Sequence, residues 1–134
     1  MSETKTKIVA QAVGRRKSAI ASVRLIPGNG ELTVNGKPGT EYFPGLHAAP
    51  KYNSPFKTVD VSKYAVTVRV HGGGPVGQLD AVVLGIARAL VEVKEAFKKP
   101  LRDAGLLTRD SRERQRRHIG TGGKARRRKQ SPKR

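Results

Sequence analysis

Residues 64–97 read YAVTVRVHGGGPVGQLDAVVLGIARALVEVKEAF, and this segment contains two different hydrophobic periods. Its first eight residues alternate valines with polar side chains, which predicts a half-buried strand over 64–71. From Val76 to Phe97 the apolar residues recur every three or four positions, which predicts an amphipathic helix of about six turns. Pro75 suits the first turn of that helix, because no intrahelical hydrogen bond needs its N–H. A strand followed by such a helix indicates an α/β domain with the helix lying on the sheet.

Two extended segments precede this unit. Residues 7–13 and 18–26 are predicted to be strands, and in the second the apolar residues alternate with polar ones. The four residues between them, GRRK at 14–17, are predicted to form a turn that carries three adjacent cations.

The following residues contain two turn signals. The sequence PGNG at 27–30 predicts that residues 31–34 return as a strand, in a β-hairpin with the strand before it. Asn35-Gly36 predicts a second reversal. Residues 39–56 mix proline, glycine and aromatic residues and are predicted to form a short helix plus a loop.

The end of the long helix is predicted at Lys99-Pro100. Residues 101–104 are expected to add one further turn, which Gly105 caps in a left-handed conformation. The predicted globular α/β domain therefore covers residues 1–107.

The remaining residues, 108–134, form a strongly basic segment. They contain twelve lysines and arginines, two acidic residues and, as apolar members, Ile119 and Ala125, in a chain whose net charge is +18. So little apolar surface cannot offset roughly 1–2 kcal/mol of backbone entropy per ordered residue. We therefore expect a basic extended tail that is disordered when free and orders on a dense polyanion, which points to nucleic acid.

A basic tail also fits other roles. It can be a solubility device, a nuclear-import signal at 126–129 or a membrane-surface anchor. A solvated face usually mixes charges of both signs, and an interfacial helix needs an apolar face, which this tail lacks. Nucleic acid is therefore the favoured partner, and no membrane or small-molecule substrate is expected.

The composition points away from most catalytic chemistry. The chain has no cysteine, so disulfides, thiolate nucleophiles and cysteine-based zinc sites are excluded. The three histidines lack metal-ligand spacing and the acidic residues form no obvious pair, so neither a metal, a cofactor nor an enzymatic activity is expected. Asp80 and Glu92 are expected to face solvent.

Aromatic residues make up 4%, so the core is expected to consist of valine, isoleucine, leucine and alanine. The chain has no apolar run long enough for a signal peptide or a membrane span, and we expect a soluble, cytoplasmic protein.

The glycines at 72–77 formally match the pattern G-x-G-x-x-G. A dinucleotide site also needs a following strand with an acidic residue about twenty positions on, whereas Glu92 and Glu95 fall inside the predicted helix. A nucleotide enzyme is one alternative, but the missing strand makes it the least favoured of the three. Two others stay open: the glycines allow a close approach of helix and sheet, or their N–H groups bind an RNA phosphate at the helix N-terminus.

Six segments, in order along the chain, together carry a specific resemblance. They are GRRKSAIA (14–21), PGNG (27–30) with VNG (34–36), GGG (72–74) with GQ (77–78), LGIARAL (84–90), GLLTRD (105–110) and KR (133–134). The set resembles the family of the ninth protein of the small ribosomal subunit, in its bacterial or organellar form. The resemblance implies a small two-layer α/β sandwich, a mixed sheet with helices on one face and a left-handed βαβ crossover similar to the second domain of ribosomal protein five.

The same resemblance implies a structural constituent of the small (30S) subunit, bound to 16S-type rRNA in the subunit head beside neighbouring head proteins. Its basic tail would thread through rRNA and reach peptidyl-site tRNA. The predicted rRNA-binding residues are the cations whose side chains bind phosphate, together with the glycine turn and its neighbour: Arg15, Arg16, Lys17, Gly73, Gly74, Gln78, Arg109, Arg112, Arg114, Arg116, Arg117, Lys124, Arg126, Arg127, Arg128 and Lys129. The predicted tRNA-binding residues are Lys133 and Arg134.

The tail departs from the family pattern in two places. Residues 116–123 read RRHIGTGG, without the aromatic residue expected near Gly120, so a base-stacking contact is not supported there. Pro132 restricts Ser131 to extended geometry and alters the path of the last residues. A second class of function stays open, that of a free basic nucleic-acid chaperone or an architectural DNA-binding protein with a condensing tail.

Overall fold

The computed structural model describes residues 8–28, 31–61 and 63–113. In these ranges the chain forms one five-stranded mixed sheet with the long helix packed on it, so the predicted α/β class is confirmed. The strands are β1 (Ala10–Arg16), β2 (Ala19–Pro27), β3 (Leu32–Val34), β4 (Lys37–Pro38) and β5 (Tyr64–His71), and their order across the sheet is β1-β2-β5-β3-β4. The helices are α1 (Gly39–Tyr42), α2 (Ala48–Val59), α3 (Pro75–Val93), a 3₁₀ turn (Glu95–Phe97) and α4 (Lys98–Asp103).

The first hairpin turns at Lys17 and Ser18. β1 continues through Arg16 and pairs antiparallel with β2, so that Arg15 lies opposite Ile20. The predicted turn at 14–17 is therefore wrong for its first three residues. Exposed cations are compatible with the solvent face of a strand, and the reversal occurs instead where Lys17 adopts a left-handed conformation, with φ +54°.

The predicted hairpin between β2 and β3 is also wrong. β5 lies between them, antiparallel to β2 and parallel to β3. The turn residues at 27–30 predict a change of direction, but they do not determine which strand becomes the neighbour. The second predicted reversal is confirmed, because Asn35 and Gly36 both have positive φ and join β3 to β4.

The parallel strands β3 and β5 are joined by a crossover that contains β4, α1 and α2. The left-handed sense of this crossover stays a prediction. The short helix expected within 39–56 corresponds to two helices, the second of which continues to Val59 and ends at Asp60 in a left-handed conformation.

Helix α3 lies across β1 and β2, and its central residues 81–87 are all buried, because α2 also packs on it. Two glycines allow this contact. A Cβ atom on Gly14 of β1 would lie 1.9 Å from the carbonyl oxygen of Ala81, and one on Gly85 of α3 would lie 2.5 Å from Cγ2 of Val23. The strand and helix backbones therefore approach more closely than any side chain would permit.

The predicted helix to Phe97 is too long, because α3 ends at Val93 and Lys94 is extended, with φ −150°. This break redirects the chain so that Phe97 packs on the core from the 3₁₀ turn and Leu101 is fully buried in α4. The predicted left-handed cap is confirmed by Gly105, with φ +76°. Within the described ranges, no helix is long and apolar enough to cross a lipid bilayer.

The core consists mainly of valine, leucine, isoleucine and alanine, as expected from the composition. Phe43 and Tyr52, from the region between β4 and β5, are also buried.

Candidate nucleic-acid interface

The basic turn between β1 and β2 packs against the glycine turn that precedes α3. A Cβ atom on Gly72 would lie 2.3 Å from the carbonyl oxygen of Ser18, and one on Gly73 would lie 3.3 Å from the Cβ atom of Ala19. Both glycines have positive φ, which favours glycine in any case. The structural interpretation of this turn, a close approach of helix and sheet, therefore accounts for Gly72 and Gly73.

Gly74 differs from the two glycines before it. It is the N-cap of α3, carries no side chain that could cap the helix, and has no neighbouring atom within 4 Å of a built Cβ position. The first helical N–H groups thus lie at an open surface next to Lys17, which is exposed. A helix N-terminus of this kind favours an anion.

The predicted ligand Gln78 is engaged within the protein. Its Nε2 donates a hydrogen bond to the carbonyl oxygen of Gly72 at 3.1 Å, and its Oε1 accepts one from the hydroxyl of Tyr42 at 2.9 Å. The Tyr42 oxygen in turn lies 3.3 Å from Nδ2 of Asn35. This chain of hydrogen bonds links the glycine turn to α1 and to the β3–β4 turn, so Gln78 holds the three together.

Arg16 is the most buried of the three predicted cations at 15–17, with 14% of its side chain exposed. Its Nη1 lies 3.0 Å from Oδ1 of Asp110 and 3.0 Å from the carbonyl oxygen of Arg112, and its Nε lies 3.5 Å from Oδ2 of Asp80. Lys51 of α2 pairs with the other oxygen of Asp80. The expectation that Asp80 simply faces solvent is therefore wrong, since it balances two cations.

The carboxylate of Asp110 is also bound by Arg112. The guanidinium of Arg112 donates through Nε at 3.0 Å and through Nη2 at 2.8 Å, and its backbone N–H donates at 3.0 Å. These hydrogen bonds hold the pKa of Asp110 well below its usual range, and the same pair raises the pKa of Arg112. Through Arg16, residues 110–112 are thus fixed beside the end of β1, beyond the domain limit predicted at residue 107.

The exposed predicted ligands in the described ranges lie around this junction. Arg15 and Lys17 are exposed at the end of β1, and Arg109 and Arg112 are exposed on the segment that Arg16 holds. The structure therefore brings the basic turn and the start of the basic segment to the same end of the sheet. This arrangement concentrates positive charge beside the open N-terminus of α3.

Two further cations on the sheet were not among the predicted ligands. Arg24 of β2 and Arg69 of β5 are exposed, on the face opposite the helices. The alternation of apolar and polar residues that predicted both strands also predicted this orientation, so the signal was present in the sequence.

The other predicted ligands lie outside the described residues. They are the cations of the distal tail: Arg114, Arg116, Arg117, Lys124, Arg126, Arg127, Arg128, Lys129, Lys133 and Arg134.

The described ranges contain no group of three acidic or histidine side chains that could hold a metal ion. They also lack the second half of a dinucleotide fold, because α3 is followed by a 3₁₀ turn and α4 rather than by a strand that carries an acidic residue.

Comparison with known proteins supports the family resemblance of the sequence segments. A model of the family described as ribosomal protein S9/S16 matches residues 14–134. The small ribosomal subunit protein uS9 of Gloeothece citriformis is 46% identical over 120 residues, which cover 88% of each chain. The protein of the same name from Synechocystis sp. is 44% identical over 120 residues, with 88% of each chain covered. That of Leifsonia xyli is 50% identical over 111 residues, which cover 81% of this chain and 66% of the relative. The resemblance seen in the ordered segments is thereby confirmed, and the chain belongs to the ribosomal protein S9/S16 family.

Proposed function

We propose that this chain is a structural constituent of the small (30S) ribosomal subunit, where it binds 16S-type rRNA in the subunit head and is ribosome-bound. The family consists of structural proteins rather than enzymes, and the relatives described above are small-subunit proteins by name. The observation that carries the proposal is the junction at the end of β1, where the basic turn packs on the glycine turn before α3 and Arg16 holds the segment at 110–112.

This junction acts by positioning RNA rather than by chemistry. The planar guanidinium of an exposed arginine binds a phosphate through two parallel hydrogen bonds, and Arg109 can do so, whereas Arg112 already donates to the Asp110 carboxylate. The N–H groups of Val76 and Gly77 add donors for a phosphate, because no side chain caps this end of α3. Arg16 has a structural role instead, since it fixes the path by which the chain leaves the folded domain.

The distal tail extends the same interaction. Its closely spaced arginines would bind successive phosphates, and Gly120, Gly122 and Gly123 would let the backbone pass close to packed RNA. We propose that Lys133 and Arg134 then contact peptidyl-site tRNA. The left-handed crossover between β3 and β5 belongs to the same proposal, since it rests on the family resemblance.

Neighbouring proteins of the subunit head are a further proposed partner. Leu46 and Val76 lie beside each other around α1 and the start of α3, and 91% and 69% of their surfaces are exposed. Apolar surface of this kind is typical of protein contacts.

The experiment that tests the proposal is fractionation of lysate on a sucrose gradient. The full chain is expected to sediment with 30S particles and to leave them only at high salt. A free nucleic-acid chaperone would remain at the top of the gradient, and an architectural DNA-binding protein would sediment with DNA in a nuclease-sensitive form. Either of these distributions would contradict the proposal.

A further inference from the structure

The sheet has one face without a helical cover in the described part of the chain. Along β1, β2 and β5 every second residue lies on the helical side, where most are buried, and the residues between them are exposed or half-buried. The helices contact the buried side, since α3 packs on β1 and β2, and α2 and α4 pack on α3. We call the opposite side the outer sheet face, formed by Gln11, Val13, Arg15, Ile20, Ser22, Arg24, Ile26, Ala65, Thr67, Arg69 and His71.

The strand register places three arginines close together on this face. Arg24 lies opposite Thr67, and Arg69 lies opposite Ser22, so Arg24 and Arg69 are diagonal neighbours about 7–8 Å apart. Arg15 lies opposite Ile20, which is two residues along the strand from Ser22, so Arg15 is two strands and two residues from Arg69, or about 12 Å. The three guanidinium groups therefore project from one surface, and none of the residues that β1, β2 and β5 place on it is acidic.

The charge of these arginines is not balanced by the residues that the structure describes. Within those ranges, no carboxylate lies within 4.0 Å of Arg15, Arg24 or Arg69. The described ion pairs lie elsewhere, around Asp80 and Asp110. Of the two adjacent arginines at the end of β1, Arg16 is thus neutralised by the protein, whereas Arg15 is exposed on the outer sheet face.

The composition of the face favours RNA over a protein partner. Protein interfaces are typically centred on tyrosine, tryptophan or phenylalanine, and none of these belongs to the outer sheet face. The side chains between the arginines are mostly short, and the hydroxyls of Ser22 and Thr67 can donate to phosphate oxygens. A surface with three arginines, small donors and no acidic residue matches the backbone of RNA rather than the edges of its bases.

We propose that the outer sheet face is a second RNA-binding surface, on which Arg15, Arg24 and Arg69 bind backbone phosphates of small-subunit rRNA. The inference rests on the proposed rRNA binding and adds a second contact surface on the folded domain. RNA would then contact the folded domain across the open sheet as well as at the basic turn and the tail.

The test is a charge-matched pair of full-length variants. One carries Arg15→Gln, Arg24→Gln and Arg69→Gln, and the other carries Lys98→Gln, Lys99→Gln and Arg102→Gln on α4, which lies on the helical side. Binding to a labelled transcript of the head domain of small-subunit rRNA is measured at several salt concentrations. The outer-face variant is expected to lower the slope of log affinity against log salt by about 2 to 3, because each lost phosphate contact lowers it by about 0.7 to 0.9. The control is expected to keep the wild-type slope.

A second readout does not depend on the stability of the triple variant. The chain contains no cysteine, so a single Thr67→Cys substitution introduces one thiol in the outer sheet face. Saturation with the same transcript is expected to slow its reaction with maleimide at least tenfold, while an Ala96→Cys substitution, on the exposed 3₁₀ turn, reacts at an unchanged rate.

The outcomes separate this inference from the proposed function. If wild-type protein binds the transcript with a steep salt slope, but the outer-face variant matches its control and the thiol at position 67 stays reactive, the face is not an RNA site and the proposed function stands. Protection of that thiol by head proteins without RNA would assign the face to a protein partner. A wild-type chain that does not bind the transcript would remove both proposals.

Discussion

At the scale of single residues, adjacent arginines have different surroundings. Arg15 and Arg16 are both cationic and both lie in β1, but their side chains lie on opposite faces of the strand. Arg16 is surrounded by Asp80, Asp110 and a carbonyl oxygen, and these partners lie up to 96 residues away in sequence. The sequence predicted the charge of this site, but local periodicity carries no information about so distant a partner.

Replacing Asp110 with asparagine is expected to loosen residues 109–113 without unfolding the domain. The amide cannot provide the charged, two-oxygen acceptor that Arg16 and Arg112 share. Trypsin cleavage after Arg109 and Arg112, followed by mass spectrometry, is expected to be several-fold faster than in the wild type. Glu113→Gln is the control, because this change leaves the Asp110 carboxylate in place.

The pH dependence of this effect follows from the lowered pKa of Asp110. A carboxyl group with a lowered folded-state pKa stabilises the fold above its unfolded pKa, and this contribution is lost as the pH falls through the folded-state value. The difference in cleavage between wild type and variant is thus expected to be constant from about pH 5 to 9. A difference that disappears within this window would contradict the assignment.

At the scale of elements, the contact between β1 and α3 organises the domain. It depends on glycines at one position in each element, Gly14 and Gly85. The periodicity of the sequence predicted α3 and its buried face, and it predicted β5 at its observed bounds. It did not predict this crossing point, because a glycine in a helix gives no sign of which backbone will lie against it.

Gly85→Ala is expected to destabilise the domain by about 1–3 kcal/mol, because the added methyl group would overlap Val23 in a packed core. Alanine is the better helix former by about 1 kcal/mol, so intrinsic propensity predicts the opposite sign. Urea unfolding followed by circular dichroism distinguishes the two.

Gly77→Ala in the first turn of α3 is the matched control. Its nearest neighbours would lie 3.8 and 3.9 Å from the new methyl group, which is ordinary contact. This variant is expected to be neutral or more stable by up to about 1 kcal/mol. Equal stabilisation by both substitutions would show that the helix does not approach the strand as closely as described.

At the scale of the whole molecule, the charge and the fold class were predictable from the sequence, whereas the order of the strands in the sheet was not. The net charge of +18 and the ordered family segments were sufficient to predict a ribosomal protein. The position of β5 between β2 and β3 was not predictable from turn residues, since strand order depends on pairing between segments about 40 residues apart. The candidate site was predicted as a set of cations. In the described ranges, the structure shows some of these cations paired with carboxylates and others exposed.

The tail is expected to dominate the salt dependence of RNA binding. A protein that binds about 6 to 10 phosphates loses roughly 10³ to 10⁵ in affinity between 50 and 200 mM salt. Deleting residues 114–134 is expected to flatten this dependence, as measured by filter binding to the rRNA transcript. An unchanged slope would assign the contacts to the folded domain alone.

Removing Lys133 and Arg134 is expected to leave assembly into 30S subunits nearly intact, because in the proposed function the remaining cations share the rRNA contacts. Peptidyl-site tRNA is expected to dissociate several-fold faster, since charge-assisted hydrogen bonds contribute about 1.5–3 kcal/mol before screening. Reconstituted subunits that carry Lys124→Gln and Arg126→Gln are the control for a loss of two charges. Equal dissociation rates in all three forms would remove the tRNA role from this end of the chain.

The insertion of β5 between β2 and β3 also has a consequence for the order of folding. During synthesis the β1–β2 and β3–β4 hairpins can form from local residues, but no strand joins them until residues 64–71 have left the ribosome. Helix α3, which covers the buried face of β1 and β2, follows only after that. Packing of the two hairpins and α3 therefore requires non-local contacts, which form slowly. The apolar side of the first hairpin is exposed until these contacts form. Fragments that end at residue 61 are expected to show no cooperative unfolding transition, whereas fragments that end at residue 113 are expected to show one.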